Sequence, residues 1–193
     1  MGTPGSGRRS LRRFPVTVPL IAVVGGLLVG TGITVSDVFQ QPSPFNPLLH
    51  LGTLVFHNGV SHYVENMLLF VPLGVGLTLL SSDRHAFVVI VGAHVSGSFL
   101  TALLADGGTG SSIAVFALIA ALFLRATDRI EAEQSVGVPW FVVVGVLPAV
   151  FGVVLFGSGG IGHPGHLLGY LFGWAIEAGT LWRRGAIEAG STR

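Results

Sequence analysis

Apolar residues run in long blocks separated by short polar or Gly-rich breaks. The blocks predict membrane-length helices over about 14–35, 62–80, 86–105, 111–124, 138–156 and 166–182. The first follows a Gly/Ser-rich stretch, 1–13, which carries four Arg and reads as a disordered tail. It has the basic start and apolar run of a signal peptide. Its length, and the lack of a clear Ala-x-Ala site, mark it instead as a retained helix. The segment 36–61, with Pro42, Pro44 and Pro47, reads as a partly buried interfacial loop. Gly-rich loops are expected at 106–110 and 157–165, a charged stretch at 125–136 and a polar tail at 183–193.

Composition fixes the solvent. Half of the 193 residues are hydrophobic and 10% are charged, whereas a soluble domain carries about a quarter charged residues. The mean hydropathy of +0.76 agrees. The expected fold class is therefore an all-α membrane protein, a bundle of six transmembrane helices over 14–182. Cysteine is absent, which excludes disulfides and thiolate metal sites.

Charge orients the bundle. All ten basic residues are Arg. They precede the first span, lie between spans two and three (Arg84), between four and five (Arg125, Arg129), and after six (Arg183, Arg184, Arg193). The other three connections hold none, so both termini are expected in the cytoplasm and spans two, four and six start at the outer face. The complete lack of Lys reads as the codon bias of a GC-rich prokaryote, so the expected location is a prokaryotic plasma membrane, crossed several times. Span four is short. Fourteen residues give roughly 21 Å of helix against a hydrocarbon core of about 30 Å. With Arg125 at the inner interface, Ser112 would start below the outer surface, fed by a non-helical Gly loop. Such backbone is tolerated only beside protein or a wet cavity.

Those three outer starts carry the candidate chemistry. His62 and Asn66 are four apart and share a helix face. His166, Gly169 and Gly173 share another, and Gly169-x3-Gly173 lets a neighbouring helix approach closely, with Ala117, Ala120 and Ala121 as small partners on span four. A serine with one histidine base is a reduced triad. His62 and Asn66 could donate to a tetrahedral oxyanion, and the Ser112 N–H, at a helix start, is free to add a third donor.

Taken together, His57-x4-His62-x3-Asn66, Gly110-x-Ser112 with Phe116 and Ala117, and His166-x2-Gly169-x3-Gly173 resemble the rhomboid family of six-span intramembrane serine proteases. The likeness covers about 14–182. It implies Ser112 as nucleophile, His166 as base, His62 and Asn66 around the oxyanion with His57 in support, and Phe116 against the His166 ring. It implies a serine endopeptidase that cuts single-span or polytopic membrane-protein substrates near the outer face of the lipid bilayer, with no cofactor, metal or nucleic acid. Ile113 departs from the pattern, which usually has Gly there. Since Ile113 is about 100° of helix from Ser112, it is expected to turn from span six toward span two or lipid. There it would narrow the cavity and slow the enzyme. The family's Trp-Arg pair in the first outer loop is also missing; the loop reads Phe45-Asn46-Pro47-Leu48-Leu49-His50.

Other functions were weighed. Ile113 favours a pseudoprotease that binds membrane helices without cutting them. A transporter needs polar groups near midplane in several spans, and here they cluster at outer ends. Among the remaining polar residues, Ser111 is expected to bond back to a carbonyl one turn earlier. His50, His85 and His163 read as interfacial, and His94 as a packing residue hydrogen-bonded to a neighbouring helix. Glu65 and Asp106 are given no role. No three of the seven His show metal-ligand spacing with a carboxylate.

Overall fold

The computed structural model of the protein describes residues 15–39, 43–104, 110–133 and 164–191, with side chains to 128 in the third stretch and to 184 in the last. The expected fifth span (138–156), the loops 106–109 and 157–163, Asp106, His163 and the N-terminal tail lie outside the described residues. Every regular element among the described residues is a helix.

Helix α1 runs over Thr17–Thr31. Its first turn has no local cap. Asp83 supplies one from 66 residues away: its carboxylate accepts from the Thr17 N–H at 3.0 Å, the Thr17 hydroxyl at 2.9 Å and the Val16 N–H at 2.9 Å. This satisfies donors that a helix start leaves open. The helix stops at Gly32, whose φ of 71° is the left-handed conformation glycine adopts without strain. The expected interfacial loop holds two short helices. They are α2, Val35–Val38, opened by a Thr34/Asp37 capping box, and α3, Pro47–Gly52, opened by Asn46.

Helix α4, Val60–Leu80, follows. Then α5, Asp83–Phe87, continues through a π-turn at Val88–Gly92 into α6, Ala93–Leu104. Val60–Leu80 and the continuous run Asp83–Leu104 are both long and apolar enough to cross a membrane, and α1 is a shorter apolar helix. Helix α7 is Ser112–Glu133 and α8 is Pro164–Ser191.

Helix α7 is the centre of the fold. Every residue from Ile113 to Ala121 is buried, because α7 packs against α8, α4 and α6. A helix apolar all round needs such an enclosed place. The α7–α8 approach is backbone to backbone. A methyl group at Gly169 would overlap the Ile113 carbonyl oxygen, and one at Gly173 would meet the Ala117 Cα at 2.5 Å. Helix α4 meets α1 differently, with the Val18 side chain seated on Gly74.

One expectation is corrected. The fourth apolar segment and the charged stretch after it form one helix, which runs to Glu133, so Arg125 lies within a helix. It is also not at a solvated interface. Arg125 is 2% exposed and ion-paired to Glu177 of α8, which is fully buried and also takes His85 Nε2 at 2.5 Å. His85 thus joins the buried Arg125–Glu177 ion pair from a half-buried position. The carboxylate explains the burial, since a guanidinium leaves water only with a partner.

Candidate active site

The loop entering α7 is held from below. Gly110 has φ 111°, open to glycine and strained for other residues. Its N–H donates to the Thr53 carbonyl at 2.8 Å. A Cβ there would lie 2.5 Å from His62 Nε2 and 3.3 Å from His57 Cδ2. Gly110 is therefore required twice, by its dihedral and by the two imidazoles against it.

His57 orients the next residue. Its Nδ1 faces the Val55 carbonyl at 3.0 Å. That oxygen only accepts, so Nδ1 carries the proton and Nε2 is an acceptor. Nε2 receives the Ser111 N–H at 3.3 Å and the Ser111 hydroxyl at 3.3 Å. Ser111 is fully buried and bonded to this ring, not to a carbonyl one turn earlier. The correction has a simple cause: Ser111 precedes the helix, so no turn lies behind it. Burial holds the His57 imidazole below its usual value of 6.5, in keeping with a neutral ring that accepts at Nε2.

Ser112 is the first residue of α7 and is half-buried. Its N–H is one of the donors that the helix start leaves without an intrahelical partner. One turn along the same face is Phe116, whose ring stacks on His166 of α8 with centroids 4.5 Å apart and an interplanar angle of 19°. His62 is half-buried, and its Nε2 is buried with no hydrogen-bond partner among the described residues. Asn66 is 8% exposed and donates one Nδ2 hydrogen to the His62 carbonyl at 2.8 Å, leaving the second for another acceptor. The rings of His57 and His62 lie 5.6 Å apart. Ser112, Phe116, His166, Gly110, His57, His62 and Asn66 therefore gather at one end of the bundle, where α4, α7 and α8 begin. Gly169 and Gly173 set the α7–α8 spacing one and two turns below. Among the described residues no group of three His, Asp or Glu side chains is arranged to hold a metal ion.

A model of the Rhomboid domain matches residues 48–183, well over half the chain. The chain belongs to the rhomboid family. Rhomboids are typically intramembrane serine proteases, and this one is an integral membrane protein. No curated protein and no solved structure matches it.

In this rhomboid, Ile113 does not point where the helical rotation from Ser112 had suggested. Its side chain is 6% exposed, and its Cγ2 lies 2.8 Å from where a Cβ would stand on Gly97 of α6 and 2.9 Å from the equivalent point on Gly169 of α8. Ile113 thus faces α8 and fills a socket lined by two glycines. Only a missing Cβ on both neighbours leaves that room.

Sequence reasoning also missed the support beneath Gly110. His50 is 3% exposed and bonded within the protein. Its Nε2 donates to the Pro44 carbonyl at 2.6 Å, so its Nδ1 accepts from the Ser98 hydroxyl at 3.0 Å. Thr53 donates its hydroxyl to the His50 carbonyl at 2.8 Å and accepts from His94 Nε2 at 3.1 Å. His94 fastens α6 to the end of α3 through Thr53. The stripe His94, Gly97, Ser98, Thr101 at helical spacing was the available signal.

Proposed function

We propose that this rhomboid is a serine endopeptidase that cleaves membrane-embedded helices near the outer face, with six spans and both termini in the cytoplasm of a prokaryote. One observation carries the reading: His166 stacks on Phe116, one turn from Ser112 on the same helix. A ring held there stands beside the face that carries the serine hydroxyl.

In this reading His166 takes the proton of Ser112 as the oxygen attacks the scissile carbonyl. The oxygen of the tetrahedral intermediate becomes negative. The Ser112 N–H, the second Nδ2 hydrogen of Asn66 and a donor from His62 would stabilise it, each contributing about 3 kcal/mol. Protonated His166 then gives its proton to the leaving amine. Water hydrolyses the acyl-serine with His166 as base again. The pseudoprotease alternative took its motive from Ile113. Ile113 packs between Gly97 and Gly169, on the side toward α8 where a branched side chain is expected to block the scissile carbonyl, so labelling at Ser112 decides between the two readings.

The test is labelling with a serine-directed phosphonate in detergent. Wild type should take the label, and Ser112→Ala and His166→Ala should not. Labelling that persists in Ser112→Ala, or a folded wild type that never labels, would overturn the reading.

A further inference from the structure

Helix α4 has two unlike sides. Asn66, Phe70, Gly74, Leu77 and Thr78 are buried. Ser61, Val64, Glu65, Leu68 and Pro72 are exposed, Leu68 by 69%. Glu65 sits where the exposed apolar strip meets the candidate site, about 60° of helix from His62 and about 100° from Asn66. Its carboxylate accepts from the Ser61 hydroxyl at 2.8 Å, one turn nearer the helix start. The side chain therefore leans toward the end of the bundle that holds the site.

Among the described side chains, other charges are distant from that end. Asp83 and Arg84 lie at the start of α5, and Arg125, Asp128, Glu177, Arg183 and Arg184 lie three or more turns along α7 and α8 from the ends that carry Ser112 and His166. Asp37 is occupied by the Thr34 N–H and hydroxyl, both at 2.7 Å. A helix sliding laterally over the strip of α4 meets Glu65 before it reaches His62. A carboxylate at a membrane edge loses solvation when an apolar helix covers it, and a cation on that helix offsets the loss.

We infer that Glu65 selects substrates that carry an Arg or Lys just outside the outer end of their membrane helix. The inference rests on the proteolytic reading for what kind of molecule arrives. Such a mark would discriminate well, because outer flanks are normally poor in basic residues.

The experiment uses full-length protein in liposomes and three single-span substrates that differ only in Arg, Gln or Glu at the outer flank. Wild type should favour Arg over Glu about tenfold in kcat/KM, about threefold from each charged contact at a solvent edge. Glu65→Gln should level the series, and Glu65→Arg should invert it. Glu65 is exposed, so neither change disturbs packing. The same three substrates are also bound, uncut, to Ser112→Ala and to Ser112→Ala/Glu65→Arg. Cleavage with the same ratio in all three proteins overturns the role of Glu65 and leaves the protease standing. Charge-selective binding that inverts with Glu65→Arg, without any cleavage by the wild type, supports Glu65 as the selector and removes the protease.

Discussion

The position of Ile113 gives a prediction opposite to the one its sequence suggests. Were Ile113 a plug beside the active serine, Ile113→Gly or Ile113→Ala would speed cleavage. Its place between Gly97 and Gly169 makes it a packing residue of the α6–α7–α8 junction instead. Ile113→Ala removes three carbons from a site that is 6% exposed. Large-to-small changes in cores cost about 2–5 kcal/mol. Within a membrane the unfolded reference is itself in lipid, so packing dominates the loss and the lower part, about 2–3 kcal/mol, is expected. The reciprocal change is also unfavourable. A methyl on Gly97 would stand 2.8 Å from Ile113 Cγ2, closer than carbon atoms approach, while its next neighbours, Gly169 N and Cα, are at 3.4 and 3.7 Å. Gly97→Ala alone should cost about 1–3 kcal/mol by overpacking. In the double variant the new methyl enters the vacated space, so the two effects should partly cancel, by about 1–2 kcal/mol. Unfolding titrations in mixed micelles, read by circular dichroism, measure all four corners of this cycle. Phosphonate labelling in parallel reports the site. Additive effects would refute the socket, and so would an Ile113→Ala protein as stable as wild type that labels faster.

Two further outcomes follow from buried groups. Glu177→Gln leaves Arg125 buried without its counter-charge and should lower stability by about 3 kcal/mol, while Glu177→Leu combined with Arg125→Met should cost much less; thermal unfolding of both variants decides, and equal losses would contradict a pair that matters through its charge. His57 titrates below 6.5 in the folded protein because of burial. The unfolded chain therefore binds more protons in the window below about pH 6.5, and stability should fall as pH drops through it. In His57→Asn, measured by the same unfolding titration, this part of the pH slope should vanish; an unchanged slope would assign it elsewhere.

Much of this was legible in advance. Among the described residues, the starts of the apolar segments are close to the helix starts, because a block of apolar residues bounded by Gly and Pro leaves few alternatives. What stayed hidden depended on partners distant in sequence. Glu177 is four residues beyond Gly173 on the stripe that carries His166, so its burial could be anticipated. That it meets Arg125 and His85, 52 and 92 residues away, could not be read from periodicity. Ile113 shows the same limit. A helical rotation of about 100° gives its angle to Ser112. It does not say which neighbour has a hole, and the hole belongs to Gly97, sixteen residues earlier on another helix.

The two departures from the rhomboid pattern can then be understood together. Where the family usually has glycine at 113, this chain has an isoleucine on α7 held between glycines of α6 and α8, so close contact between the helices survives. Where the Trp-Arg pair is missing from the outer loop, His50, Thr53, Ser98 and His94 tie α3 to α6. Thr53 does more than anchor the loop, since its carbonyl takes the Gly110 N–H at 2.8 Å. The loop and the turn that launches Ser112 are thereby one hydrogen-bonded unit. Thr53 is its junction, because a single residue there bonds to α3, to α6 and to the backbone entering α7.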